Sequence, residues 1–288
     1  MNLLNIIISI FALIILILLW VIVFDSNRFV VRTYEIRDKK IKKPLRMAVV
    51  SDLHNKVYGK DNYLLIDRIK KEQPDVVILA GDILTAVKGK TLDIAVDFTD
   101  RISKEFHTYY GFGNHEHRLL LYPERFGNMG AEYMDRIGKT NARILDNSYD
   151  TFEDFNIRLY GSKVDRRFYK KFTSIVMRTE DLESVMGAVD EGYYNILLAH
   201  HPDYFYAYAG WGADLTISGH VHGGVARIPF IWKGVISPAL KFFPKYDGGE
   251  FNEYGKKMIL SRGLGMHTIP IRLFNPGELV IIDLKPVE

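Results

Sequence analysis

Five short apolar runs in this chain each break off at a cluster of Asp, Asn, His or Gly, and that repetition restricts the fold more than any other feature. "LRMAVV" runs into Ser51-Asp52-Leu53-His54, "DVVILA" into Gly81-Asp82, and "TYYGF" into Gly113-Asn114-His115-Glu116. Further on, "YNILLA" runs into His200-His201-Pro202 and "DLTIS" into Gly219-His220-Val221-His222. Aliphatic and β-branched runs this short, bounded by Gly and Pro, read as buried strands. Helical patterns over Asp61–Gln73 and Thr91–Ser103 suggest βαβ connections between the first of them. More strands are expected near Ile157–Gly161, Met258–Ser261 and Leu279–Leu284, so the sheet content is mixed. In open α/β architectures ligands gather outside the carboxyl ends of strands. Five polar clusters at five strand ends would therefore converge on one place.

The residue types at those ends suit metal ions. The chain has no cysteine, so any metal must be held by His, Asp, Glu, Asn or main-chain oxygen. Residues i and i+2 of an extended segment project to the same side, which lets His220 approach a common site with His222, and Asp52 with His54. Carboxylate and imidazole together suit Zn²⁺, Mn²⁺ or Fe, and Asp82 can bridge two ions through its two oxygens. Two cations about 3.5 to 4 Å apart can clamp a phosphate and the water that attacks it.

"SDLH", "GD", "GNHE", "LLAHHP" and "GHVHGG", in this order, resemble the signature of the calcineurin-like metallophosphoesterases, and cover about Arg46 to Gly224. The tail "SRGLGMHTIPIRLFNPGELVIIDL" resembles the end of the membrane-associated bacterial branch of that superfamily. The resemblance implies a four-layer α/β/β/α sandwich with two mixed sheets. It also implies that Asp52, His54, Asp82 and His222 hold one divalent metal (Mn, Fe or Zn), while Asp82, Asn114, His200 and His220 hold a second. His115 would stand beside the scissile phosphate as the catalytic side chain. Activity would then be hydrolysis of phosphoester or pyrophosphate bonds, with a metal-bridging hydroxide as nucleophile. Several relatives carry a carboxylate shortly after the bridging Asp to orient that histidine. Here "GDILTAV" offers Thr85 instead, which leaves Glu116 or Asp52 as the expected partner of His115.

Ahead of these motifs, Leu3 to Phe24 is almost wholly apolar and carries no charge. At 1.5 Å per residue a helix there spans roughly 30 Å, the thickness of the hydrocarbon core. It lacks the basic start, shorter apolar stretch and small-residue cleavage site of a signal peptide. The expected organisation is thus an N-terminal transmembrane anchor at 1–25, a basic juxtamembrane linker at 26–44 and a metallophosphoesterase domain at 45–288. Arg28, Arg32, Arg37, Lys39, Lys40, Lys42, Lys43 and Arg46 crowd the C-terminal side of the span, so the positive-inside tendency places the domain in the cytoplasm. The remaining chain, with 48% hydrophobic and 25% charged residues overall, is long enough to bury a sizeable core. A net charge of +3 gives no reason to expect a nucleic-acid partner.

The substrate is expected from the segment after the last two histidines, Val225 to Gly249. It mixes Phe230, Ile231, Trp232, Phe242 and Phe243 with Arg227, Lys233, Lys241 and Lys245. Together with Asp203 to Trp211 it reads as an apolar and basic lip lying on a bilayer. A lipid-linked phosphoester or pyrophosphate is the first expectation, and a soluble nucleotide or nucleotide sugar the second. A non-catalytic scaffold would not need His115. Among the other histidines, His201 should point away from His200 on a strand, His117 and His267 read as polar loop residues, and His107 as an ordinary strand residue.

Overall fold

The structure, a computed structural model, describes residues 2–170, 175–231, 233–237, 240–266 and 270–287. Trp232 and His267 lie outside the described residues. Among the described residues, twelve strands and eight α-helices follow one another from α1 (Leu3–Ser26) to β12 (Gly277–Pro286).

The first sheet has the order β1 (Phe29–Asp38), β12, β2 (Leu45–Val50), β3 (Val76–Leu79), β4 (His107–Gly111), β5 (Arg143–Leu145). Its pairs are parallel except β12 against β2. The second sheet has the order β10 (Gly249–Glu253), β11 (Lys256–Leu260), β9 (Leu215–Ser218), β8 (Tyr194–Leu198), β7 (Ile157–Gly161), β6 (Ser148–Phe152), with an antiparallel pair at each edge. Both sheets are therefore mixed.

Side-chain alternation shows why four layers form. Met47 and Val49 of β2, Ile78 of β3, Ile196 of β8, Ile217 of β9 and Val280 of β12 share one core between the sheets. Their neighbours Ala48, Val50, Val77 and Leu79 face the opposite way. They pack there with Leu65 and Ile69 of α2 (Tyr63–Glu72), Phe98 and Ile102 of α3 (Asp93–Glu105) and Tyr133 of α6 (Met129–Ile137). On the far side, Leu197 and Ala199 meet Leu182 of α7 (Thr179–Met186) and Phe205 and Trp211 of α8 (Phe205–Trp211). Strands buried on both faces read as continuous apolar runs, which is the pattern that "AVV" and "VVIL" display.

Three expectations need correction. Residues 26–44 are not simply a linker, because β1 pairs in parallel with β12 over ten residues, from Phe29↔Gly277 to Asp38↔Pro286. Some of its basic residues pair within the fold: Arg32 meets the buried Glu278 (2.8 Å) and Lys40 meets Asp214 (3.0 Å), and just beyond it Arg46 meets Asp283 (2.8 Å). Asp61 does not cap a helix, since Asp61 and Asn62 occupy the left-handed region (φ 54° and 61°) and α2 starts at Tyr63. The helix expected from Thr91 begins at Asp93, with Thr91 Oγ1 accepting the Asp93 amide (3.1 Å).

Helix α1 runs 24 residues and is long and apolar enough to cross a membrane. Only Asp25 and Ser26 of it are buried.

Candidate metal centre

Each expected site residue lies just past the carboxyl end of a strand. Asp52 and His54 follow β2, Asp82 follows β3, Asn114 and His115 open α4 (Asn114–Leu121) after β4, His200 follows β8, and His220 and His222 follow β9. Sheet packing brings the two groups of strand ends together. Asp52, His54 and His222 offer ligand atoms within 4.8 Å of one another, and so do Asp82, His200 and His220; His54, Asp82 and His115 form a third such group.

The turns that achieve this are strained. Asp52, His54, Asp82, His220 and His222 all adopt positive φ (50°, 49°, 54°, 74° and 53°). Non-glycine residues rarely do so, and each instance costs of order 1–3 kcal/mol. Close packing adds a second constraint, since a Cβ on Gly113 would stand 2.2 Å from Asp82 Oδ1.

Asp82 differs in detail from the expected two-oxygen bridge. Its Oδ1 accepts the His115 amide (2.8 Å), while Oδ2 alone faces both groups, 3.8 Å from His54 Nε2 and 3.1 Å from His200 Nε2. Asp52 Oδ2 accepts the Ser51 hydroxyl (2.6 Å), and its Oδ1 points at His222 Nε2 (3.4 Å) and His200 Nε2 (3.5 Å). Burial pushes the Asp52 carboxyl up to about 6, helped by Asp82 and opposed by His200. Burial also acts upward on Asp82, but His200, His115 and His54 outweigh it and hold that carboxyl well below the usual range.

These residues fit divalent cations. His200 Nδ1 lies 2.9 Å from the Ala80 carbonyl, to which it donates, so the neutral ring turns its Nε2 lone pair toward the Asp82 carboxylate. Burial works against charging His200, yet the Asp82 and Asp52 carboxylates drive its pKa up to about 10. Asn114 Oδ1 is buried without a hydrogen-bond partner among the described residues. His54 Nε2 and His222 Nε2 face each other at 3.2 Å. Acceptors left converging like this are what a metal ion satisfies.

Residues 45–224 match the family model described as calcineurin-like phosphoesterase. The chain belongs to the calcineurin-like phosphoesterase family. It is 27% identical over 260 residues to an uncharacterized metallophosphoesterase of Campylobacter jejuni, covering 88% of this chain and 63%, less than two thirds, of that protein. An uncharacterized metallophosphoesterase of Bacillus subtilis is 25% identical over 244 residues (83% of this chain, 79% of that one). One from Aquifex aeolicus is 27% identical over 261 residues (88% and 91%).

In this member of the family, a main-chain group meets the Nδ1 of His115. His115 Nδ1 accepts the backbone N–H of Ala86 (2.9 Å), supplied by the same "GDILTAV" turn that lacks a carboxylate. Glu116 instead braces the turns, accepting the amides of Asp82 (2.9 Å), Ile83 (2.8 Å) and Gly113 (2.9 Å) and the Tyr110 hydroxyl (2.8 Å). Burial, then the Asp82 charge, raises its carboxyl to about 7. His201 turns its ring to Tyr169, Tyr204 and His220. His117 is buried on α4 rather than polar and looped, and burial lowers its pKa to about 4. His107 is on β4.

Sequence reasoning missed the support from the tail. The buried Arg272 guanidinium donates to the carbonyls of Gly265 (2.6 Å), Arg262 (2.9 Å), Gly263 (3.0 Å) and Asn275 (3.2 Å). That loop presses on the Asp52 turn: a Cβ on Gly265 would stand 2.0 Å from the Leu53 carbonyl oxygen. Asn275 Nδ2 donates to the carbonyls of His222 (2.8 Å) and Gly224 (2.6 Å). The available signal was "SRGLGMHTIPIRLFNPGE", whose glycines, Arg and Asn sit close together without any ligand spacing of their own.

Proposed function

We propose that this protein is a membrane-anchored, dinuclear-metal-dependent hydrolase of phosphoester or pyrophosphate bonds whose substrate is carried by a lipid. The observation that carries the reading is Asp82 Oδ2, which faces His54 of one ligand group (Asp52, His54, His222) and His200 of the other (Asp82, His200, His220). Divalent cations held there would supply Lewis acidity and an acidified water. The chain's own contribution centres on His115. Because the Ala86 N–H occupies Nδ1, the neutral ring carries its proton on Nε2. His115 therefore acts as a hydrogen-bond donor toward a phosphoryl or leaving-group oxygen, and its ring lies 4.8 Å from that of His54. Ser51 and Glu116 orient Asp52 and the Asp82 turn, and Ala80 fixes the His200 tautomer.

Retention of α1 as an anchor is supported by its last turn. Asp25 accepts the Asn275 amide (3.1 Å) and Ser26 Oγ accepts the Arg272 amide (3.1 Å), so the helix end belongs to the fold around the site. The excess of Lys and Arg beside the span supports a cytoplasmic domain. A thiol introduced at the exposed Tyr149 should then resist an impermeant reagent added to intact cells, and labelling from outside would reverse the orientation.

Function is tested by loading the full chain in nanodiscs with Mn²⁺, Fe²⁺ or Zn²⁺. Turnover is then measured against phosphomonoesters, phosphodiesters, nucleotide sugars and lipid phosphates. Preferred turnover of lipid phosphates is expected. Preference for nucleotides or nucleotide sugars would move the substrate to the soluble phase, and no turnover by metal-loaded protein would leave a binding scaffold.

A further inference from the structure

Large apolar side chains are exposed along α1 and again on the segment that follows the last metal-centre histidine. Phe230 is 93% exposed, Phe242 71% and Ile231 68%, with Leu240, Phe243 and Ile271 also exposed. Such a patch on a soluble surface marks an interaction site. The segment is a ribbon: Ile228 bonds Lys233 (2.9 Å), Val235 bonds Ala226 (2.8 Å) and Phe243 bonds Val235 (2.9 Å) through the main chain. At its base, Arg227 N donates to Leu273 O (3.0 Å) and Leu273 N to Val225 O (3.2 Å).

That base is where α1 ends. Arg272 and Asn275, either side of Leu273, hold Ser26 and Asp25, so the exposed ribbon and the apolar helix are joined through one short segment. The same base holds the metal-centre turn, through Asn275 to His222 and through Arg227 Nη1 to Gly223 O (2.7 Å). The ribbon's lysines are spoken for: Lys233 lies 3.4 Å from Asp247, Lys241 pairs with Asp203, and Lys245 lies 2.5 Å from Glu253. The expected basic character of the lip is thus largely neutralised within the fold, and what the ribbon offers is apolar surface.

We propose that the exposed Phe230, Ile231, Leu240, Phe242 and Phe243, with Ile271, form a second membrane contact, seated at the headgroup–acyl boundary of the bilayer that α1 enters. Continuity with the helix identifies the lipid surface as the occupant, and the paired lysines make the contact apolar rather than dependent on anionic lipid. Both contacts are tied to the segment that carries Asn275, whose side chain also holds the His222 turn. This inference rests on the proposed anchor and deepens the proposed lipid-borne substrate.

The absence of cysteine allows a direct test on the full chain. Phe230→Cys and, as control, Tyr149→Cys on β6 at the far edge of the second sheet would each be labelled with an environment-sensitive fluorophore. Both would be placed in phosphatidylcholine nanodiscs with and without doxyl lipid. The label at 230 should shift to the blue and be quenched by doxyl lipid, with the label at 149 unchanged. Equal, aqueous behaviour at both positions overturns the proposal. So does a shielded label at 230 that doxyl lipid does not quench, because a protein or a second copy would then cover the patch. A Phe230→Ser/Phe243→Ser double variant with an unchanged melting temperature should lose several-fold in turnover of a lipid phosphate and none against a small chromogenic phosphodiester; equal loss on both overturns the proposal. If the unmodified protein turned over no lipid phosphate, the substrate reading would fall while the quenching result still decided the membrane contact.

Discussion

Asn275→Ala tests how the tail controls the metal centre. Asn275 is fully buried, and its Nδ2 is the donor to both the His222 and the Gly224 carbonyls. Truncation leaves those two acceptors dry, at roughly 1–3 kcal/mol each. It also removes Oδ1, which has no partner among the described residues, and so returns one penalty of similar size. Adding about 1 kcal/mol for lost packing, the net destabilisation is about 2–4 kcal/mol. At about 2–4 °C per kcal/mol for a domain of this size, the melting temperature should fall by roughly 4–16 °C. The freed carbonyls are those of His222 and Gly224, while the His220 amide stays held by Asp52 Oδ1 (3.0 Å), so the loss should be selective. After dialysis the variant should keep one metal equivalent at the Asp82–His200–Asn114 side and lose the other, an affinity drop of about 10–100-fold being usual for an outer support. Asn275→Asp, of the same size, should be at least as damaging, because its carboxylate would face two carbonyl oxygens. A melting temperature within about 1 °C of the parent, or two retained equivalents in both variants, would refute the reasoning.

Asp82→Asn should cost more activity than any other single ligand change, since Oδ2 faces both groups; metal analysis showing two equivalents with near-normal kcat would be the contrary result. His115→Ala should keep its metal while kcat falls by roughly 10²–10⁴-fold, and loss of metal would make His115 a ligand instead. His117 bears on acid stability: its pKa is depressed to about 4, so the unfolded chain binds its proton first and stability declines as pH falls from about 6.5 to 4. The decline is on the order of 3 kcal/mol. His117→Gln should flatten that limb in denaturant titrations, and an unchanged limb would exclude His117 as its source.

The sequence by itself determined the central strands and which polar residues gather at their ends. Runs such as "LRMAVV" and "DVVILA" are apolar on both faces, which only a strand buried between two layers satisfies, and each ends at residues that can only be polar turns. The order of those endings brought Asp52, His54, Asp82, Asn114, His115, His200, His220 and His222 into one list, because strand ends of parallel sheets share an edge. What the sequence could not show is whatever depends on backbone atoms or on partners far along the chain. A main-chain N–H from Ala86 replaces the carboxylate that a reader looks for beside His115, and a backbone donor leaves no residue type behind. Asp82 turns only Oδ2 toward both histidine groups because the His115 amide takes Oδ1. The basic stretch after the apolar helix reads as a linker until Glu278, Asp214 and Asp283, between about 170 and 250 residues away, neutralise it and make β1 an edge strand. Likewise the docking of Asp25 and Ser26 on Arg272 and Asn275 joins the two ends of the chain, and only the folded packing of the tail against the His222 turn creates it.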